Sequence, residues 1–182
     1  FSYAKPSPDT LQGTTAVARG RLENDRLSDV QQIFEAKVWS RGRGHHGSRL
    51  VFDGNGHLFI SLGDRQVPPE GDLTAHPAQD LSNHFGTIVR VHEDGRVPTD
   101  NPFVRGEGAL PEIWSYVHRN VQGMLLHPEH GLIATERVRT DHNCAPADLV
   151  NVGEHLLLGY NVFLGLKSET KLSDVLAIHR FE

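Results

Sequence analysis

The sequence predicts an all-β fold of many short strands, and three observations support this prediction. Glycine and proline occur 18 and 10 times among 182 residues, and many of them separate short apolar runs. Two predicted hairpins, residues 50–60 and 124–133, repeat one pattern of an apolar run, a polar turn that ends in glycine and a second apolar run. Long polar segments lie between such units. Short paired strands are typical of a sandwich or a propeller, and the long loops favour a propeller, whose loops form a site on one face.

The first third of the chain contains the predicted strands that lead to the candidate site. Residues 1–4 resemble the middle of a strand, and residues 30–38 form a strand for which a helix over 28–37 is the alternative. Gly54-Asn55 between two apolar runs predicts a hairpin, because both residues accept a positive φ angle at low cost. The other predictions in this region are a strand at 14–19, a polar turn at 20–27, and hairpin strands at 49–53 and 57–62.

The rest of the chain continues this alternation of strands and loops. Residues 65–82 form a long polar loop, and a loop of that length in a compact domain is usually functional or mobile. Near the end, residues 149–158 are apolar enough for two strands around Gly153, and residues 172–180 fit either a strand or a helix. Between them, strands are predicted at 87–92, 113–117, 124–126 and 132–135, with a turn at Asp94-Gly95 and irregular chain over 98–111.

Composition excludes several functional classes. Hydrophobic residues make up 37% of the chain, which is typical of a globular domain, and no apolar run approaches the length of a membrane span. The formal net charge is -5, and the cationic cluster at residues 41–44 is too small to indicate nucleic-acid binding. The single cysteine, Cys144, has no internal partner for a disulfide. The 12 histidines are scattered without an HxH or HExxH motif, which disfavours a histidine-rich metal-binding protein.

The two open ends of the predicted hairpin each carry a titratable residue. If Gly54 and Asn55 are the central turn residues, Phe52 pairs with His57, and extending this register places His45 opposite Asp64. Cross-strand Cβ atoms are about 4.5–5.5 Å apart, so the carboxylate can fix the imidazole tautomer and leave the other nitrogen as a base. The register assumes that no bulge interrupts the strands. An ordinary surface hydrogen bond is the alternative interpretation of this pair.

Five segments, in order along the chain, match motifs of one enzyme family. They are residues 44–50, 58–64, 78–86, 94–103 and 111–123. Together they resemble the soluble sugar dehydrogenases that depend on pyrroloquinoline quinone (PQQ), in particular the aldose sugar dehydrogenase branch of the glucose/sorbosone dehydrogenase-like family. The resemblance covers residues 1–136, which we assign to propeller blades of this family. Residues 137–182 are then a divergent continuation of the propeller.

The resemblance implies a fold, a reaction and a set of site residues. The family is a six-bladed β-propeller that oxidises the anomeric carbon of aldoses with PQQ and calcium. By resemblance, His45 is the general base and Asp64 orients it, while Arg119 and Asn120 contact the quinone. The implied partners are a small aldose and an external electron acceptor, with neither nucleic acid nor a membrane span. Family members are commonly periplasmic or secreted.

The calcium site is where the sequence departs from the family. The family follows its next strand with an acidic residue and a His/Gln-Gly-Pro turn, whose backbone carbonyls hold the ion. Here the strand ends at Glu136, and no Gly-Pro follows. Residues 141–144 offer Asp, His, Asn and Cys, but consecutive residues do not converge well on one ion. The sequence therefore leaves calcium and its ligands open.

The length of the chain matches only about three blades. Residue 1 aligns inside the second blade of the family, and the match fades by the fourth. An open arc of blades exposes two apolar faces. We therefore expect either a piece of a longer polypeptide or an oligomer that pairs through these faces. A non-catalytic propeller arc that acts as a binding or interaction module is the alternative to an enzyme.

Overall fold

The computed structural model describes residues 1–68, 70–128 and 130–136, together with the backbone of residues 155–158 and 162–165. Within these residues it contains eleven strands, two short 3-10 helices and no α-helix, which confirms the all-β class. The strands are β1 Ser2–Pro6, β2 Gly13–Glu23, β3 Arg26–Glu35, β4 Leu50–Phe52, β5 His57–Ser61, β6 Ile88–His92, β7 Ile113–Ser115, β8 Val121–His127, β9 Gly131–Glu136, β10 His155–Leu158 and β11 Val162–Gly165.

The strands form three antiparallel sheets. The first sheet has the order β1–β2–β3, the second β4–β5–β6–β7 and the third β8–β9–β11–β10. The second sheet is a simple meander, as expected for one blade of a propeller. In the third sheet β9 pairs with β11, so that β10 lies at the edge.

The β2–β3 hairpin is longer than the sequence predicts. The predicted polar turn over 20–27 shrinks to Asn24 and Asp25, which have φ angles of 50° and 60°. Residues 20–23 are exposed on both faces of the ribbon, so their side chains show no alternation that would mark a strand. Backbone pairing holds this part of the ribbon together. The strand β3 also decides against the alternative helix over 28–37.

The second sheet lies between the other two and presents a different face to each. Ile60 and Leu58 share a buried cluster with Val17 of the first sheet. Phe59, between them in sequence, shares a second cluster with Leu132 of the third sheet. Successive side chains of a strand point to opposite faces, so one five-residue strand supplies both cores. This packing fixes the site residues at the ends of β5, β7 and β9.

The register of the β4–β5 hairpin differs by one residue from the predicted one. Phe52 pairs with Leu58 and not with His57, and the Asp53 N–H donates to the His57 carbonyl at 3.1 Å. The turn therefore contains three residues, 54–56, with φ angles of 76° at Gly54 and 85° at the last position. The Asp53 carboxylate accepts hydrogen bonds from the backbone N–H groups of residues 55 and 57. This cap stabilises the wider turn.

The long loop after β5 contains the two helices, Leu73–Ala75 and Pro77–Gln79. Neither of these short helices in the described part of the chain has the length or apolar character needed to cross a membrane. Near the end of the described chain, His155–Leu158 pairs with Val162–Gly165. The predicted strand pair around Gly153 includes residues 149–154, which lie outside the described residues, so that it stays a prediction. The predictions for residues 141–144 and 172–180 fall outside the described residues.

Candidate active site

The site begins in the irregular segment that precedes β4. In this segment His45, Gly47 and Ser48 have φ angles of 51°, 64° and 74°. Non-glycine residues adopt such angles rarely, so His45 and Ser48 hold a strained backbone. The segment is tied down by the Ser48 N–H, which donates to the Ser61 carbonyl at 2.7 Å. A distorted backbone therefore carries His45 to the end of β5.

The structure brings His45 and Asp64 together. His45 Nδ1 lies 2.5 Å from Asp64 Oδ1, and the two side chains are only 13% and 8% exposed. An ionised carboxylate only accepts hydrogen bonds, so Nδ1 donates and Nε2 is left as the basic nitrogen. Asp64 Oδ1 also accepts the backbone N–H of Gln66 at 2.9 Å, which fixes the carboxylate. The predicted contact is confirmed, although the register that predicted it is wrong.

Arg119 and Asn120 lie in the loop between β7 and β8, directly against this pair. The Asp64 N–H donates to the Arg119 carbonyl at 2.8 Å. Asn120 Oδ1 accepts the Gly47 N–H at 3.0 Å, so this amide also holds the segment that carries His45. Gly63 makes the close approach feasible, because a Cβ atom there would overlap the His45 carbonyl. All four predicted site residues therefore belong to one connected cluster.

A buried carboxylate holds the Arg119–Asn120 loop through hydrogen bonds to its backbone. Glu136, at the end of β9, is 4% exposed, and its Oε2 accepts the backbone N–H groups of Arg119 at 2.7 Å and Asn120 at 3.0 Å. Its Oε1 lies 3.2 Å from His118 Nδ1. The other nitrogen of His118, Nε2, is 2.7 Å from the Ser115 hydroxyl. The loop is thus fixed through its backbone as well as through Asn120.

The protonation of Glu136 follows from these contacts. Burial by itself would raise the pKa of this carboxyl, but the hydrogen bond and charge of His118 and the two backbone N–H groups outweigh burial. The net pKa of Glu136 lies below its usual value, so the group is an ionised acceptor at neutral pH. From the sequence, Glu136 is recognised only as the end of a strand. The one available signal was its position where the family has an acidic residue.

His46 has a different environment from its neighbour. Its Nδ1 lies 3.2 Å from the Thr15 hydroxyl of β2. Burial, and then the positive charge of Arg65, lower the pKa of His46. A neutral His46 that contacts the first sheet anchors the segment on the side opposite to Asp64.

No group of three or more His, Cys, Asp or Glu side chains in the described part of the chain is placed to hold a metal ion. The segment that follows Glu136, where the resemblance implies the calcium ligands, lies outside the described residues. Calcium binding stays a prediction.

Two family models match the sequence. The model described as glucose/sorbosone dehydrogenase matches residues 1–151. A second model, described as an ATPase involved in DNA repair, matches residues 122–182, most of which lie outside the described residues. The first match includes all four predicted site residues and confirms the resemblance found in the sequence.

Curated relatives give the same picture. The uncharacterized protein slr1608 of Synechocystis is 40% identical over 157 residues, which are 84% of this chain and 37% of that protein. The aldose sugar dehydrogenase YliI of Escherichia coli is 42% identical over 130 residues, or 70% and 33%. Quinoprotein glucose dehydrogenase B of Acinetobacter calcoaceticus is 25% identical over 108 residues, or 51% and 22%. The chain thus spans about a third of the length of its first two relatives.

Solved structures of similar proteins support the fold. A glucose dehydrogenase crystal structure superimposes with a TM-score of 0.66 at 39% identity, covering 75% of this chain and 38% of that chain. The apo form of the soluble aldose sugar dehydrogenase of E. coli gives 0.64 at 39% identity, covering 75% and 38%. The PQQ-bound aldose sugar dehydrogenase of Streptomyces coelicolor gives 0.56 at 23% identity, covering 70% and 37%. The three sheets are therefore blades of a partial β-propeller.

Proposed function

Because the chain belongs to the glucose/sorbosone dehydrogenase family, we propose that it carries the proton-accepting centre of a PQQ-dependent aldose dehydrogenase. The observation that carries this proposal is the 2.5 Å contact between His45 Nδ1 and Asp64 Oδ1, hydrogen-bonded through the Asp64 backbone to Arg119. The relatives named as aldose and glucose dehydrogenases support the substrate class.

The chemistry of His45 follows from its pairing. Asp64 holds Nδ1–H, so Nε2 is free to accept the proton of the anomeric hydroxyl of an aldose. The imidazolium that forms is stabilised by the adjacent carboxylate charge. The anomeric carbon loses a hydride in the same oxidation, and the sugar becomes a lactone. Two electrons then pass to an external acceptor.

PQQ, when bound, supplies the two-electron acceptor for that hydride. The residues of the loop fit such a group, because quinone and carboxylate oxygens accept hydrogen bonds and these residues donate them. The Arg119 guanidinium is permanently charged. The Asn120 Oδ1 is already engaged by Gly47, so the amide has its Nδ2 donor left for a ligand. The quinoprotein relative and the PQQ-bound structure support this choice of cofactor.

The test compares two histidines that make the same kind of pair. His57 Nδ1 lies 2.7 Å from Asp53 Oδ2 at the turn of the hairpin, and its side chain is as buried as that of His45. We expect His45→Gln to lower kcat about a hundredfold or more in a PQQ-supplemented assay with an aldose and a dye as electron acceptor, since general-base catalysis contributes about 10²–10⁴. His57→Gln is the matched control and is expected to retain wild-type kcat.

Equal activity of the two variants would contradict the proposed role of His45. Absence of any change in the PQQ absorption spectrum on mixing would contradict the cofactor and favour the alternative of a non-catalytic propeller module. The periplasmic or secreted location, the division at residues 136/137 and the identity of the natural acceptor stay predictions.

A further inference from the structure

Arg65 is a buried cation that has no counter-ion among the described residues. The residue is only 5% exposed. Its Nε donates to the Ser40 hydroxyl at 2.8 Å and its Nη2 to the Gly42 carbonyl at 2.5 Å. The remaining nitrogen, Nη1, is buried and has no hydrogen-bond partner among the described residues. No carboxylate in that part of the chain forms an ion pair with this guanidinium.

A charge in this state is costly for a folded protein. Removing a guanidinium from water is unfavourable, and an unpaired buried donor adds its own desolvation cost. Burial accordingly lowers the pKa of Arg65. Natural chains usually compensate such a group with a carboxylate or with a bound anion. The carboxylate is missing from its described surroundings.

Arg65 lines an open cavity of about 380 Å³ whose charged lining residues are all basic. Arg41, Arg43 and Lys5 line the same cavity together with the neutral His46, and no Asp or Glu does. Lys5 is already paired with a carboxylate, that of Glu35, at 2.5 Å. Arg41 and Arg43 are exposed and belong to no ion pair among the described residues. This positive cavity occurs in a chain whose net charge is -5.

We propose that this cavity binds a small oxyanion, the phosphate or carboxylate group of a small molecule, with Arg65 Nη1 as its buried donor and Arg41 and Arg43 at its rim. Guanidinium groups form short, charge-assisted hydrogen bonds to such oxygens. The volume falls in the range of about 300–1,000 Å³ that small-molecule sites occupy.

The cavity is adjacent to the candidate active site but is built from other side chains. Arg65 follows Asp64 and His46 follows His45, so the same two segments carry both sites. Neither Asp64 nor His45 lines the cavity. The inference goes beyond the proposed function, because anion binding here requires neither sugar oxidation nor PQQ.

The test is calorimetric titration of the cofactor-free chain at fixed ionic strength. Inorganic phosphate and gluconate are the two anionic probes, and sorbitol, which has no anomeric carbon, is the uncharged control. We expect saturable binding of at least one anion and none of sorbitol at the same concentrations. Tighter phosphate binding assigns the site to phosphate-bearing ligands, and tighter gluconate binding assigns it to carboxylate-bearing ones.

Variants identify the cavity. Arg65→Met is expected to weaken anion binding about ten- to hundredfold, as for loss of a charged hydrogen bond. The side chains of Arg41 and Arg43 take no part in the hydrogen bonds of Arg65 with Ser40 and Gly42. The double variant Arg41→Gln/Arg43→Gln is therefore expected to keep the fold. It is expected to bind about two- to tenfold more weakly, with a shallower dependence on KCl concentration. Circular dichroism checks the fold of Arg65→Met. If Arg65→Met is unfolded, the binding of the double variant provides the test.

The proposal is overturned if the wild-type chain binds neither anion saturably, or if both variants bind as the wild type does. A separate site also requires that the anion found to bind still binds after saturation with PQQ, and full competition would overturn it. Because the titrations measure binding without turnover or an electron acceptor, loss of dehydrogenase activity in His45→Gln leaves their outcome unaffected.

Discussion

Asp64 and Asp53 hold the two His–Asp pairs at opposite ends of the β4–β5 hairpin. The Asp64 pair lies at the open end, beside Asn120 and Arg119, and the Asp53 pair lies at the turn. Both carboxylates contact a ring Nδ1, and only their surroundings differ. Comparing variants of the two pairs therefore separates the effect of a His–Asp hydrogen bond itself from the effect of its position beside Arg119 and Asn120.

At the residue scale we expect Asp64→Asn to lower kcat about 10²–10⁴-fold with little change in KM. The amide keeps the shape of the side chain but presents a donor or a neutral acceptor, which favours the wrong tautomer of His45 and removes the charge that stabilises imidazolium. Steady-state kinetics with PQQ and a dye provide the measurement. Asp53→Asn is the control, and an equal loss in both variants would show that Asp64 has only a structural role.

At the scale of elements, the end of β9 determines the shape of the loop that follows β7. Glu136 joins the two because its carboxylate accepts both N–H groups of residues 119 and 120 and also contacts His118. A buried acceptor of three hydrogen bonds is expensive to neutralise. The strand thus stabilises the loop without contacting a ligand itself.

We expect Glu136→Gln to destabilise the chain by about 1–3 kcal/mol at pH 7, because its amide group would face backbone N–H donors. The folded-state pKa of Glu136 lies below its usual value of 4.5, so the ionised group stabilises the fold at pH values above 4.5. That contribution is lost as the pH falls through the lower folded-state pKa. Urea unfolding between pH 7 and pH 3 should show the gap between variant and wild type closing in acid.

The exposed Glu93 provides the control for that series, since Glu93→Gln should track the wild type at every pH. A gap for Glu136→Gln that is independent of pH would mean that the pKa of Glu136 is the same in the folded and the unfolded chain, which would contradict the lowered folded-state pKa.

The site shows which structural features local sequence patterns can predict. The His45–Asp64 contact was predicted from a two-residue turn, yet the turn has three residues and the ladder is shifted by one. The segment before β4 has positive φ angles at His45 and Ser48, and although histidine is enriched at such angles, they are too uncommon for the residue type alone to predict them. The three-residue turn depends on a side-chain cap from Asp53, which outweighs the Gly-Asn turn preference.

Contacts made across sheets were beyond prediction from pattern alone. Glu136 meets Arg119 because β9 is paired with β8 and packed on the second sheet, and this depends on the register of the third sheet. Alternation and turn residues do predict most of the strands, but they give no signal for β11. Ile60 and Phe59 show the alternation clearly, whereas the exposed ribbon over 20–23 does not.

At the scale of the whole molecule, the second sheet joins the other two, and Ile60 lies at the centre of one of its interfaces. Ile60 is fully buried in the cluster shared with the first sheet. We expect Ile60→Ala to lower the free energy of unfolding by about 2–5 kcal/mol, from lost apolar burial and the cavity it leaves. Urea denaturation measures this, and the exposed Leu22→Ala is expected to change stability by less than about 0.5 kcal/mol.

A similar small effect for both variants would mean that the first and second sheets do not share a cooperative core. Association through open blade faces stays a prediction, and light scattering of the chain at several concentrations tests it.

The hydrogen bond from the Asp64 amide to the Arg119 carbonyl joins residues that follow β5 and β7, while Glu136 approaches from the neighbouring sheet. The reacting groups therefore straddle a joint between two blades. Slight loosening of that joint, by dilute denaturant or by a distant substitution, would shift the imidazole away from its partners before any strand melts. If the proposed function holds, kcat will therefore be a more sensitive gauge of blade alignment than ellipticity is.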